Sequence, residues 1–169
     1  LPAGSMSSGR LAWEWRVDSL DLGASVSQSH TDDCPARMVV SFAGDESRLS
    51  ARDIAFYDLV ELVTGQRLPF ATLMYVWDAQ LAVGSVVPYS RSSRVQYLLV
   101  ESGPQRLGQW LHYERDLHAD YLRVFGEAAS GPVTSIGLLT DSDDLKAHVQ
   151  AWYANVAWSP LPEEPSSAP

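Results

Sequence analysis

Residues 11–17, L-A-W-E-W-R-V, constrain the fold more than any other stretch of the chain. Leu11, Trp13, Trp15 and Val17 alternate with Ala12, Glu14 and Arg16. Successive side chains of a strand point to opposite faces, so this period describes a strand with one oily face and one polar face. The pattern recurs in short runs. In residues 34–42, Cys34, Ala36, Met38, Val40 and Phe42 fall on one face, and Pro35, Arg37, Val39 and Ser41, in line with Asp33, on the other. Residues 71–77 and 94–102 are rich in β-branched and aromatic side chains, with Gly84 and Gly103-Pro104 as punctuation. Residues 110–117, 133–140 and 151–158 complete the set.

Two segments change period. In residues 50–64, Ile54, Ala55, Leu59, Leu62 and Val63 share one helical stripe, Ser50 stands as N-cap with Asp53 three positions on, and Gly65 follows. Residues 119–125 read as one or two helical turns closed by Gly126. Short strands with helices only as insertions predict an all-β fold, an antiparallel β-sandwich of jelly-roll type with helices at about 50–64 and 119–125. One domain is expected over residues 1–158, followed by a flexible Pro-rich tail at 159–169.

Charge narrows the partners. The formal net charge of −9 lacks the basic face that phosphate neutralisation requires, so nucleic acid is an unfavourable partner. No run reaches the roughly 18 apolar residues of a membrane span, and residues 1–10 lack the hydrophobic segment of a secretory leader. Cys34 is the only cysteine, which excludes an internal disulfide, and its neighbours suggest a buried thiol. Phosphate-cradling, dinucleotide, zinc-protease and serine-hydrolase signatures are missing.

Three polar groupings remain. Asp32, Asp33 and Arg37 crowd the start of a strand. Asp33 and Arg37 share a face roughly 13 Å apart at ~3.3 Å per residue, so each needs a partner from elsewhere. They read either as an ordinary solvated face or as a groove for a polar ligand. In H-Y-E-R-D-L-H-A-D-Y, His112, Glu114 and Asp116 share a face, which suits acid–base chemistry or, equally, a wet surface. In T-D-S-D-D, Asp141 and Asp143 could hold calcium or simply end a strand. Most of the six tryptophans fit a sandwich core, and Trp77 and Trp110, at or near strand ends, are the expected exposed pair.

The runs W-E-W-R-V, D-D-C-P-A-R-M-V-V-S-F, L-P-F-A-T-L-M-Y-V-W, E-R-D-L-H-A-D-Y-L-R-V-F-G-E, I-G-L-L-T-D-S-D and A-W-Y-A-N-V, in this order, resemble a bacterial family numbered thirty forty-seven in the domain-of-unknown-function series. The resemblance implies that Asp32, Asp33, Arg37, Tyr75, Trp77, Arg115, Asp120, Tyr121, Asp141 and Asp143 occupy motif positions. It also implies a periplasmic or cell-envelope location, a first strand that this chain lacks, and an aspartate where Asn155 stands. The ending resembles the closing strands of jelly-roll carbohydrate-binding modules.

The expectation is therefore a non-catalytic envelope β-sandwich that binds a polar ligand, with a glycan as the leading class. The ligand-binding residues would come from Asp32, Asp33, Arg37, Tyr75, Trp77, Trp110, Glu114, Arg115 and Asp120. No cofactor beyond a possible calcium at Asp141 and Asp143 is implied. The alternatives are an accessory subunit that recruits a protein partner through an open sheet edge, and a glycan or ester hydrolase using His112, Glu114 and Asp116.

Overall fold

A computed structural model of the chain describes residues 9–141 and 148–159. In chain order these form β1 (Arg10–Ser19), β2 (Arg37–Phe42), a 3-10 turn (Glu46–Arg48), α1 (Ala51–Thr64), β3 (Ala71–Asp78) and β4 (Val86–Pro88). Then follow β5 (Val95–Ser102), β6 (Leu111–Asp116), α2 (Leu117–Phe125), β7 (Val133–Leu139) and β8 (Gln150–Ser159). The strands make two sheets, one ordered β6-β1-β8 and one ordered β4-β5-β3-β2-β7. The fold is the expected β-sandwich with inserted helices. One pairing departs from the antiparallel pattern: β3 and β5 run parallel, with Met74 opposite Tyr97. Their connection carries β4, which pairs antiparallel with β5 at the sheet edge. No helix of the described residues is long and apolar enough to cross a membrane.

Alternation explains how the sheets meet. Leu11, Trp13, Trp15 and Val17 of β1 face Met38, Val40 and Phe42 of β2 and Leu73, Tyr75 and Trp77 of β3 in one buried core. The aromatic rings interlock: Trp13 stacks on Tyr113 with centroids 5.3 Å apart, and Trp15 lies 6.5 Å from Trp77. Offset and edge contacts of this kind add to the burial of large rings. Trp77 is thus fully buried, its indole N–H donating to the Gly103 carbonyl at 2.9 Å, which corrects the expected exposure. Its place near a strand end is irrelevant, because the end of β3 lies beneath the other sheet. Trp110 is half exposed, as expected.

Three of the polar residues expected at a site belong to this interior. Tyr75 donates its hydroxyl to Asp120 Oδ2 at 2.8 Å, and Arg115 grips the same carboxylate through two nitrogens at 2.8 and 2.5 Å. Tyr75 and Asp120 are buried and Arg115 is half-buried over them, so this group ties α2 and β6 to the core. Burial and the adjacent Asp120 push the Tyr75 hydroxyl well above its ordinary pKa, which keeps it a donor.

Two elements start later or earlier than expected. α2 begins at Leu117 rather than 119, because the Asp116 carboxylate accepts the amide protons of His118 and Ala119 and caps it there. α1 has the expected ends, Ser50 at the N-cap and Gly65 at φ 72° after the last turn. Its orientation is reversed. Asp53 and Tyr57 are buried, while Ile54, Ala55, Leu59, Leu62 and Val63, the expected inner stripe, face out. β2 likewise starts at Arg37. Pro35 has no amide proton for a ladder, and Cys34 turns to a second cluster with Val26, Val76, Tyr97 and Leu99. The tail expected at 159–169 lies outside the described residues beyond Ser159, which closes β8.

Replacing Asp120 by Ala leaves a guanidinium and a buried hydroxyl without their acceptor. The variant should lose ~3 kcal/mol of unfolding free energy, and Tyr75→Phe ~1 kcal/mol, in urea titrations. A loss below ~1 kcal/mol for Asp120→Ala would remove the network's structural role.

Candidate functional site

The outward face of the five-stranded sheet carries its own alternation. Thr72 and Met74 of β3 point away from the core, flanked by Val95 and Tyr97 of β5 and by Arg37 of β2. Together with α1 and the loops, they bound a cleft of about 480 Å³. Phe56 of α1 and Leu68 form one wall, Tyr89 and Arg91 of the turn before β5 another, and Ser29, Asp32 and Asp141 close the polar end. The volume falls within the range of about 300–1,000 Å³ usual for small-molecule sites.

Arg37 organises that polar end. Its Nη2 donates to the Asp32 carbonyl at 2.5 Å and to Asp141 Oδ2 at 3.3 Å, and it lies 3.2 Å from Asp32 Oδ1. Tyr97 donates its hydroxyl to Asp32 Oδ2 at 2.6 Å. Arg37 is 3% exposed, and burial by itself would lower its pKa. The neighbouring Asp32 and Asp141 override this, so the guanidinium remains charged. Burial, then the Asp32 carboxylate, raises the Tyr97 hydroxyl, which therefore stays a donor. Tyr153 of β8 crosses to this corner, accepting the Arg37 amide proton at 3.3 Å and donating to the Leu139 carbonyl at 2.7 Å.

An aromatic row leads away from the charges. Arg37 sits 5.9 Å from the Tyr97 ring centre, Tyr97 lies 6.4 Å from Tyr89, and Tyr89 lies 6.0 Å from Phe56. Phe56 depends on a bolt at the start of α1. The Asp53 carboxylate accepts from Ser50, Ser92 and Ser93 hydroxyls at 2.5, 2.7 and 2.8 Å, and from the Ser93 amide at 2.8 Å. These bonds fix α1 to the turn that carries Tyr89 and Arg91. They also turn positions 53 and 57 inward, which sends the apolar stripe of α1 outward.

The site therefore gathers Asp32, Arg37 and Asp141 from the expected residues. Asp33 is fully buried beside them, its amide donating to the Thr31 carbonyl at 2.8 Å. Tyr75, Trp77 and Asp120 lie in the interior, and the half-buried Arg115 and the exposed Trp110 stand away from the cleft lining. Tyr121 is also buried, with its ring 4.8 Å from Phe42. The acid–base grouping does not assemble. Glu114 is paired with Arg10 at 2.8 Å, Asp116 is turned to backbone amides, and His112 stands 3.7 Å from Glu14 instead. Asn155 donates to Glu14 at 2.9 Å. No three His, Cys, Asp or Glu side chains of the described residues converge on a metal position. Asp143 lies outside the described residues, and Asp141 is turned to Arg37. Cys34 is buried, and burial pushes its thiol pKa up, away from the reactive thiolate.

Residues 2–157 match the model of a family described as "Protein of unknown function (DUF3047)". The chain belongs to that family, as its motifs indicate. No curated protein matches it. No solved structure matches it either, carbohydrate-binding modules included.

The Asp53 bolt has a pH signature. Burial would raise this carboxyl, but the three serine hydroxyls and the Ser93 amide outweigh it and hold the pKa down at about 2. A depressed folded-state pKa adds stability above the unfolded value near ~3.9 and loses it as pH falls toward the folded value. The wild-type unfolding free energy should therefore fall between about pH 4 and pH 2. Asp53→Asn should be ~2 kcal/mol less stable at pH 7, with the gap closing in that window. A gap that stays constant down to pH 2 would contradict this origin.

Proposed function

We propose that this member of the family is a non-catalytic binding module of the bacterial cell envelope, taking a polar ligand of the glycan class in the cleft on its outer sheet face. The observation that carries the reading is the meeting of two chemistries in one cleft. Asp32 and Asp141, held by the buried Arg37, offer charged acceptors at one end, and Tyr89 and Phe56, backed by the buried Tyr97, offer aromatic surface along the rest. Glycans present hydroxyls that both donate and accept, beside flat C–H faces. Charge-assisted hydrogen bonds orient the first, and aromatic surface accepts the second.

Binding is favoured over hydrolysis by the state of the acids. Asp32 accepts from Tyr97 and Arg37, and Asp141 pairs with the same guanidinium. Carboxylates already engaged by a buried guanidinium and a tyrosine hydroxyl are fixed in place, which suits orienting a ligand's hydroxyls. The envelope location follows from the exported character that the family resemblance implies.

A glycan array probed with the whole chain should give a restricted set of binders, and Tyr89→Ala should weaken them about tenfold with little loss of stability. An array without binders, or affinities that Tyr89→Ala leaves unchanged, would overturn the reading.

A further inference from the structure

The cleft does not end at its aromatic wall. Phe56 and Arg91 also line a second hollow of about 220 Å³, whose remaining walls are Leu59, Val60, Val63 and Thr64 of α1. The two spaces thus share a boundary of one ring and one guanidinium. Beyond it the helix is bare: Leu59 is 55%, Leu62 83% and Val63 76% exposed. Because the Asp53 bonds turn this stripe outward, hydrocarbon lies continuous with the polar cleft.

Arg91 is singular in a second respect. Among the described residues, it alone of the eleven arginines has no hydrogen bond or ion pair. Arg52 at the start of α1 donates to the Ser90 carbonyl at 2.5 Å and has no carboxylate partner among the described residues. Among the described residues, Arg91 therefore brings a guanidinium with no carboxylate partner to the wall shared by the two hollows, in a chain of net charge −9. A free glycan uses neither feature. Its hydroxyls find no partners over Leu59 and Val63, and a neutral sugar leaves Arg91 unmatched.

We infer that the ligand is an anionic amphiphile: its polar head enters the cleft, its anionic group meets Arg91, and its hydrocarbon chain lies along the outward stripe of α1. The inference rests on the cleft being a binding site and narrows the ligand class from glycans in general to head groups that carry an anion and an alkyl chain. Arg91 supplies planar charge-assisted hydrogen bonds to a phosphate or carboxylate. Leu59 and Val63 supply the dry surface for methylenes.

Calorimetric titration of the whole chain tests this with butyl, octyl and decyl phosphate below their micellar concentrations, beside maltose and decyl maltoside. The Kd of the alkyl phosphates should tighten roughly two- to fourfold per added methylene. Arg91→Gln should weaken all three about tenfold. Leu59→Asn with Val63→Asn should flatten the chain-length dependence. All three side chains are exposed, and an unchanged thermal midpoint verifies that the variants fold. Affinity independent of chain length, or Arg91→Gln binding like wild type, overturns the inference. Maltose binding as tightly as decyl maltoside also overturns it, while leaving the glycan reading intact. Alkyl phosphates binding as described, with every glycan failing, supports the amphiphile and removes the glycan.

Discussion

A buried guanidinium on the outer face of a sheet must be compensated, and much of the cleft follows from how Arg37 achieves this. Removing such a charge from water costs several kcal/mol even after relaxation. At 3% exposure Arg37 cannot lean on solvent, so residues 31–36 leave the ladder and bring the Asp32 carbonyl and carboxylate to it. Tyr97 then holds the second Asp32 oxygen, and Asp141 approaches from the end of β7. The groups that neutralise Arg37 are the same groups that shape the polar end of the cleft. Structure and site are one arrangement here.

The sheet that supports it is useful on both faces because β3 alternates. Leu73, Tyr75 and Trp77 enter the aromatic core, and Thr72 and Met74 floor the cleft. A rigid inner layer of interlocked rings thereby fixes the positions from which the outer layer presents its groups. α1 adds a wall and reaches the core through Tyr57 and Phe56 rather than through its aliphatic stripe. Asp53 and Tyr57 hold it, the latter donating to the Phe70 carbonyl at 3.2 Å, and the hydrocarbon of the helix stays outside.

Period-two alternation in some runs and β-branched, aromatic or apolar composition in others made seven of the eight strands and the sandwich itself legible, because both act locally. Helix ends were legible for the same reason: Ser50, Gly65 and Gly126 act within one turn of their own positions. What escaped depends on distant partners. The orientation of α1 is decided by Ser92 and Ser93, 39 and 40 residues from Asp53, and a pattern that sends apolar residues inward has no access to them. Trp77 was misplaced because strand position does not say which end of a strand the other sheet covers. At the site, Asp32, Arg37 and Asp141 stood out as charges, whereas Phe56, Tyr89 and Arg91 carried no local signal. The three-residue strand β4 was too short to register as a pattern.

The dependence of the cleft on one compensated cation is open to direct measurement by a double-mutant cycle on unfolding free energy, with Arg37→Met, Asp32→Asn and the pair. If the two groups form one charge-compensated unit, the cycle gives a coupling of about 2–3 kcal/mol, because either single change strands its partner in a poorly solvated place. Additive effects within about 0.5 kcal/mol would mean that Arg37 and Asp32 are independent, and the cleft would then need another origin.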